Sequence, residues 1–329
     1  MTRVVRFHEQ GGPEVLRIED LEVGAPGPGE LRVRIQAIGL NRSEAMFRRG
    51  GYQAPGKYPS VIGYEASGFV EALGEGVSGL AIGQAVCVLP MFMLGTYGVY
   101  AESAIVPAKA VLPAPPGLST IEAASVWMQF FTAYGIIEAG RATLGDYVIL
   151  PAASSSVGLA AIQLANWAGA VPIATTRRLA KAEELQAHGA GHVIATEEQD
   201  LVAEVMRITN GKGARLVFDP VGGPFVETLA KAMAENGLLM IYGGLSGVPT
   251  LHPHWSSAMK SLSVRSWVAS TIWNKPDRFV AVREVILQGL AKAHLKPVIS
   301  KVFPFEQIVE AHRYLESNQQ IGKIVVTVG

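Results

Sequence analysis

Residues 152–158, Ala-Ala-Ser-Ser-Ser-Val-Gly, stand where chemistry can be done. An apolar run at 147–150 stops at Pro151. Beyond the small residues, Val157, Ala160, Ala161, Leu164 and Ala165 recur at three- and four-residue steps. Strand, tight turn and helix in that order aim backbone N–H groups and a helix N-terminus at a phosphate. The usual dinucleotide fingerprint places Gly where Ala153, Ser155 and Gly158 stand, and only the last is Gly. Ala and Ser are the smallest replacements. Close approach to a pyrophosphate is relaxed rather than lost, provided φ stays negative at 153 and 155. The turn is therefore expected to bind pyrophosphate through backbone N–H groups, Val157 among them, and through the hydroxyls of Ser154, Ser155 and Ser156.

An NAD-binding unit usually carries an acidic residue about 20 residues past its glycines, at the end of the second strand. Here that strand ends in Thr175-Thr-Arg-Arg178, Lys181 follows one turn later, and no carboxylate comes before Glu183. Arg177, Arg178 and Lys181 suit a 2′-phosphate, the arginines in a bidentate way. The plain alternative is a solvated helix start. Yet two Arg at a helix N-terminus oppose the macrodipole and ask for an anion, so the pattern favours NADPH over NADH. Val217-Phe-Asp-Pro-Val-Gly222 and Ile241-Tyr-Gly-Gly-Leu-Ser246 end two further strands in small residues. Ligands of open α/β sheets bind at such ends. Asp219, Val221 and Gly243 are the candidate cofactor contacts there, with turn formation as the structural alternative.

These residues need a scaffold, and the chain supplies two textures. Residues 3–7 and 15–20 read as a hairpin about Gly11-Gly-Pro13, and 31–38 as a period-two strand with one buried face. A short helix and a loop rich in Gly, Pro and Tyr fill 42–60. More strand is expected at 61–70 and 82–89. Ser119 and Glu122 have capping-box spacing, and one long helix is expected from there through Trp127 and Phe131 toward Glu138. From 146 onward, strands are expected at 147–150, 171–175, 192–194, 215–218, 238–242 and 264–268. Helices are expected between them at about 157–168, 179–188, 199–209 and 224–235. That alternation implies βαβ units and a parallel sheet covered on both faces. A helix at 305–316 and a strand at 324–328 follow.

Composition narrows the classes. The chain has 329 residues, long enough for two cores, with 49% hydrophobic and 17% charged residues and zero formal net charge. No basic surface invites nucleic acid. The most apolar run, 85–94, is broken by Pro90 and is far short of a membrane span. No signal peptide is read at the N-terminus. The single Cys87 excludes an intrachain disulfide and points to a reducing compartment, so a cytoplasmic location is expected. A catalytic Zn²⁺ needs about three protein ligands from Cys, His and carboxylate, and one Cys inside a strand cannot supply them. His252-Pro-His254 reads as polar surface. No metal is expected.

Taken together, the motifs resemble the medium-chain dehydrogenase/reductase superfamily, in its zinc-independent quinone oxidoreductase (zeta-crystallin-like) branch. They are Phe7-x-x-x-Gly-Gly-Pro-Glu-Val-Leu16, Ala37-Ile-Gly-Leu-Asn41, Gly63-Tyr-Glu-Ala-Ser-Gly-Phe-Val70, Tyr100-Ala-Glu102, the 152–158 turn, Asp219-Pro-Val-Gly222 and Gly322-Lys-Ile-Val-Val326. They run in order through essentially the whole chain. The resemblance implies an α/β protein with two domains. A GroES-like β-rich catalytic domain would span 1–125 and be completed by 271–329; a Rossmann domain with a doubly wound parallel sheet would span 126–270. It also implies a homodimer joined through the edge strand near 264–268. By position it places Asn41 and Tyr52 beside the nicotinamide and substrate, Lys181 on the 2′-phosphate, Thr132 near the nicotinamide and Asn318 at the closing end of the cofactor cleft. Where zinc relatives carry ligands, this chain has Asn41, Tyr64 and Gln129.

Without a Lewis acid, reduction of a quinone or an α,β-unsaturated carbonyl is the accessible chemistry, because conjugation spreads the incoming charge onto an oxygen. The protein must then aim a hydride and supply hydrogen-bond donors to the oxyanion. Asn41, Tyr52 and Tyr64 are the candidate donors, with Tyr64 equally readable as a packing residue. Glu65 is expected to orient backbone or an Arg. The alternatives are an enoyl-thioester reductase, a relative of the zinc alcohol dehydrogenases and, from another class, a non-enzymatic NADPH-binding protein.

Overall fold

The computed structural model describes residues 1–52 and 57–329. Part of the Gly-, Pro- and Tyr-rich loop expected within 42–60 lies outside them. The chain divides into two units, Met1–Met128 with Pro297–Gly329, and Gln129–Lys296.

The first unit is built on Glu30–Gly39. Leu31, Val33, Ile35 and Ala37 alternate into the core, and the strand pairs antiparallel with Ala66–Leu73, Ser103–Pro107 and Lys323–Thr327. Among the described residues this sheet has seven strands. The N-terminal hairpin forms as expected, with Thr2–Phe7 antiparallel to Leu16–Leu21. The strand read at 61–70 is split. Ser60–Val61 joins the hairpin and Ala66–Leu73 the larger sheet, and the chain turns between them at Gly63, φ 93°. A Cβ there would lie 2.2 Å from the Tyr100 ring, so glycine is required on two counts. That turn sets Tyr64 and Glu65 against Tyr100 and the end of the central strand. The strand read at 82–89 is trimmed to Ala85–Val88.

The single helix expected from Ser119 to Glu138 is three: Thr120–Ala123, Trp127–Ala133 and Gly135–Glu138. The capping box of Ser119 and Glu122 is present. Ser125 Oγ then donates back to Ile121 O at 2.9 Å, and Met128 N–H donates to the Glu65 carboxylate at 2.8 Å instead of continuing a helical ladder.

In the second unit, six parallel strands lie in the order His192–Ala195, Val171–Thr176, Tyr147–Leu150, Ala214–Asp219, Met233–Ile241, Ser263–Ser266. Numbered by appearance this is 3-2-1-4-5-6, the dinucleotide-binding topology, with its switch point beside Tyr147–Leu150. Helices Ser156–Trp167, Ala182–Ala187, Leu201–Ile208 and Phe225–Lys231 fill the crossovers close to the expected positions. The domain boundary read at 270 falls instead after Lys296. Helix Pro276–Ala291 belongs to this unit because Phe279 stacks on Phe131, ring centroids 5.6 Å apart, and Arg278 pairs with Glu138 at 2.7 Å. Among the described residues no helix is long and apolar enough to cross a membrane.

Candidate functional site

The serine turn stands at the carboxyl end of the first parallel strand. Ala153 N–H donates to Thr175 O at 3.1 Å, which ties the turn to the end of the second strand. Ser155 is the N-cap of helix Ser156–Trp167, with φ −71°, and its hydroxyl accepts from Gly158 N at 3.1 Å. The left-handed conformation falls on Ala152, φ 49°, and neither Ala153 nor Ser155 has positive φ. A fingerprint without its first two glycines is thus accommodated by moving the unusual dihedral one residue upstream. Gly158 is indispensable, because a Cβ there would lie 2.5 Å from Ala153 O. Ser154, Ser155, Ser156 and Val157 remain half-buried around the helix start. A hydroxyl that accepts a hydrogen bond still has its own proton to give, so the turn keeps both kinds of donor. This cradle, at the N-terminus of a twelve-residue helix, fits a dinucleotide pyrophosphate.

Lys181 Nζ reaches back to Ser154 Oγ at 3.1 Å, which places the ammonium on the turn itself. Burial and the neighbouring Arg177 charge hold it below the usual lysine range. Arg177 is exposed beside it. Arg178 differs from the expectation of an unmet cation, because its guanidinium pairs with Glu197 at 3.1 Å. The anion that the arginine pair asked for is partly supplied from within the chain. Arg177 and Lys181 are the cations the structure brings to the turn.

Asp219 faces inward. Its carboxylate accepts Val221 N–H at 2.8 Å and Gly222 N–H at 2.9 Å, and the side chain is fully buried. Burial raises its pKa above the ordinary carboxylate range. It builds the turn that carries Val221. Leu245 N–H and Ser246 N–H donate to Pro220 O and Val221 O, both at 2.9 Å, and a Cβ on Gly243 would lie 2.6 Å from Pro220 O. The two strand-end loops are therefore stapled to one another, and Gly243 is needed for the fit. Thr132 is buried, and its carbonyl accepts Trp267 Nε1–H at 2.9 Å.

The first unit holds a polar centre inside an apolar shell. Asn41 caps helix Arg42–Arg48. Its amide Nδ2 donates to Gly39 O at 3.0 Å and to Glu65 Oε2 at 3.2 Å, and its Oδ1 accepts Lys323 Nζ at 2.7 Å. Both amide protons of Asn41, expected as an oxyanion donor, are thus engaged within the chain. Lys323 Nζ also meets Glu65 Oε2 at 2.5 Å, and neither side chain reaches solvent. Glu65 accepts backbone Met128 N–H with its other oxygen, the orienting part expected of it, with a lysine in place of the arginine.

Tyr64 is buried, with its hydroxyl bonded to Ser43 Oγ. Tyr52 is 41% exposed and near enough to raise the Tyr64 phenol further, after burial and Glu44. The two phenols expected near the substrate thus lie close enough to influence one another. Asn318 ends helix Ile308–Ser317 in a left-handed turn, φ 59°, and receives the Arg42 guanidinium.

Sequence reading missed Glu44, Tyr100 and His312. Tyr100 OH donates to Glu44 Oε2 at 2.6 Å and lies 3.1 Å from His312 Nε2. The spacing of Asn41 and Glu44, a capping box, was the available signal. Burial raises the Glu44 carboxyl to about 7. Burial first, then Arg48 and Arg42, push His312 down to about 3. The two act oppositely on stability. The Glu44 contribution is complete below the ordinary carboxylate range and is lost as pH rises through about 7. The His312 contribution is complete above the ordinary histidine range and is lost as pH falls toward about 3. Glu44→Gln should therefore gain stability over the wild type between pH 5 and pH 8, by on the order of 3 kcal/mol. Urea unfolding at both pH values checks this, and a pH-independent difference would contradict it.

A GroES-like unit joined to a parallel sheet with a dinucleotide cradle defines the two-domain dehydrogenases and reductases. Residues 27–116 match the alcohol dehydrogenase GroES-like domain family, and residues 188–326 the family described as zinc-binding dehydrogenase. A quinone oxidoreductase of Pseudomonas aeruginosa is 30% identical over 328 residues, with 99% of each chain covered. A 2-haloacrylate reductase of Burkholderia sp is 29% identical over 338 residues, again with 99% of each covered. The crystal structure of Escherichia coli quinone oxidoreductase complexed with NADPH matches with a TM-score of 0.92 at 28% identity, over 99% of both chains. The chain belongs to the medium-chain dehydrogenase/reductase superfamily, in its quinone oxidoreductase branch.

The zinc in one family description does not suit this chain's donors. Among the described residues no three His, Cys, Asp or Glu side chains gather to hold a metal ion. Asn41 and Glu65 are bonded to an ammonium, and Cys87 is a buried thiol pushed up to about 12 by burial, donating to Ala123 O.

Proposed function

We propose that this protein is an NADPH-dependent reductase of quinones or α,β-unsaturated carbonyls that works without zinc. The observation that carries this reading is the Lys323 ammonium between Asn41 and Glu65. It leaves hydrogen bonds, and no metal-ligand set, as the means of polarising an acceptor. That suits substrates whose conjugation carries the incoming charge.

NADPH, when bound, supplies a hydride from its nicotinamide. The chain's own residues do the rest. Ser154, Ser155, Ser156 and the N–H of Val157 hold the pyrophosphate. Arg177 and Lys181 hold the 2′-phosphate, Thr175 fixes the turn, and Thr132 and Asn318 border the cofactor. Tyr52 donates a hydrogen bond to the acceptor oxygen, with Tyr64 and Ser43 behind it, and a phenol or water returns the proton. The 2-haloacrylate reductase among the relatives supports an activated double bond as the acceptor.

A homodimer through the edge strand Ser263–Ser266 belongs to the same proposal. Trp255 is 76% and Met259 80% exposed just before that strand, an apolar surface suited to a second copy. Sedimentation as a single chain would refute the dimer. The deciding assay is oxidation of NADPH and of NADH against a panel of quinones, enones and aldehydes. NADPH oxidation by quinones or enones is expected; acceptance of NADH alone, or of aldehydes alone, would overturn the reading.

A further inference from the structure

Glu44, Tyr100 and His312 form a line of hydrogen bonds that hydride transfer does not use. All three side chains are fully buried. Tyr100 OH meets Glu44 Oε2 at 2.6 Å and Tyr100 Oη lies 3.1 Å from His312 Nε2, while His312 Nδ1 has no hydrogen-bond partner. The same carboxylate also receives Asn41 N–H at 2.7 Å and Tyr64 N–H at 3.3 Å.

A neutral imidazole carries one proton, and its partner decides which nitrogen holds it. With Glu44 ionised, Tyr100 donates to the carboxylate, so its oxygen can only accept from His312, which presents Nε2–H. With Glu44 protonated on Oε2, the carboxyl O–H donates to Tyr100 Oη. The phenol then turns its own proton to His312 Nε2, and the ring proton sits on Nδ1.

We propose that His312, Tyr100 and Glu44 are a proton relay that stores one proton on Glu44 behind Tyr64 and Asn41. In the relay the buried Nδ1 gains an N–H bond as the cluster takes up one proton. The Nε2–H proton passes to Tyr100 Oη as the phenol proton passes to Glu44 Oε2. One proton is taken from solvent and no electron moves. Arg48 and Arg42 disfavour a lasting imidazolium, so the ring is charged only in passing. Lys323 favours ionised Glu44, and Glu65 and the neighbouring phenols of Tyr64 and Tyr100 surround it. Protonation removes the charge that strengthens the Asn41 and Tyr64 backbone hydrogen bonds. Glu44 is therefore a positioning residue for Tyr64 whose state follows pH, a part that rests on the reductase reading.

The test is ¹⁵N imidazole NMR of the full chain, free of cofactor, from pH 5 to pH 9. His312 should change from the Nδ1–H to the Nε2–H tautomer as pH rises, without passing through an imidazolium plateau. Tyr100→Phe should abolish the pH dependence, and so should Glu44→Gln. A single His312 tautomer across the range in the wild type would overturn the relay, as would an unchanged switch in Tyr100→Phe. A switching His312 in a protein that oxidises no cofactor would sustain the relay and remove only the reductase reading. In the active enzyme, the pH profile of kcat should lose its neutral inflection in Glu44→Gln while KM for NADPH is unmoved.

Discussion

Lys323→Met is expected to cost the folded state about 3–5 kcal/mol, because it strands a buried carboxylate. Glu65 would keep the Met128 N–H at 2.8 Å and the Asn41 amide at 3.2 Å, but no cation. Asn41 Oδ1 would lose its 2.7 Å donor as well. A paired substitution separates charge from packing. Lys323→Met with Glu65→Gln removes both charges and leaves an acceptor for Met128, so the double variant should be more stable than Lys323→Met alone. Denaturant unfolding of the wild type, Lys323→Met, Glu65→Gln and the double variant gives the answer. A Lys323→Met protein within about 1 kcal/mol of wild type would show that water reaches the pair.

Arg177→Glu should weaken NADPH binding by about 10–100-fold, the loss of one charged hydrogen bond plus a new repulsion. NADH binding should change by less than about threefold, since its ribose brings no phosphate to that position. The choice of Arg177 over Arg178 follows from the structure. Arg178 already has Glu197 at 3.1 Å, whereas Arg177 stands beside the Lys181 ammonium on the serine turn. Titration of each cofactor by fluorescence measures the ratio. Equal losses for the two cofactors would remove the 2′-phosphate role.

What could be read in the sequence was what local periodicity encodes. The buried alternation of Leu31, Val33, Ile35 and Ala37, five of the six parallel strands and the strand–turn–helix at 147–165 fall within a residue or two of where the pattern puts them, while the strand Met233–Ile241 begins five residues before the expected 238. The 119–138 helix broke because the partner that ends its ladder, Glu65, lies 63 residues away from Met128. The boundary moved from 270 to 296 because helix Pro276–Ala291 is held by Phe131 and Glu138, which no local pattern reveals. Local pattern singled out Asn41, Tyr52 and Tyr64, but not the partners Gly39, Glu65 and Lys323 that the Asn41 amide engages. Charged residues such as Glu44 and Lys323 read as solvated in a one-dimensional pattern. Their burial follows only from pairings made across the fold.

The same pairing sets an order on synthesis. Lys323 follows Glu65 by 258 residues, and the whole of Gln129–Lys296 is made between them. The parallel-sheet unit can thus close while the β-rich unit still lacks the strand Lys323–Thr327 and the countercharge that strand carries. On the ribosome the N-terminal half must wait, with Glu65 exposed to water, until the nucleotide-binding half has emerged. The half made first is completed last, and a chain that stops short of Lys323 leaves behind an open, acidic seam.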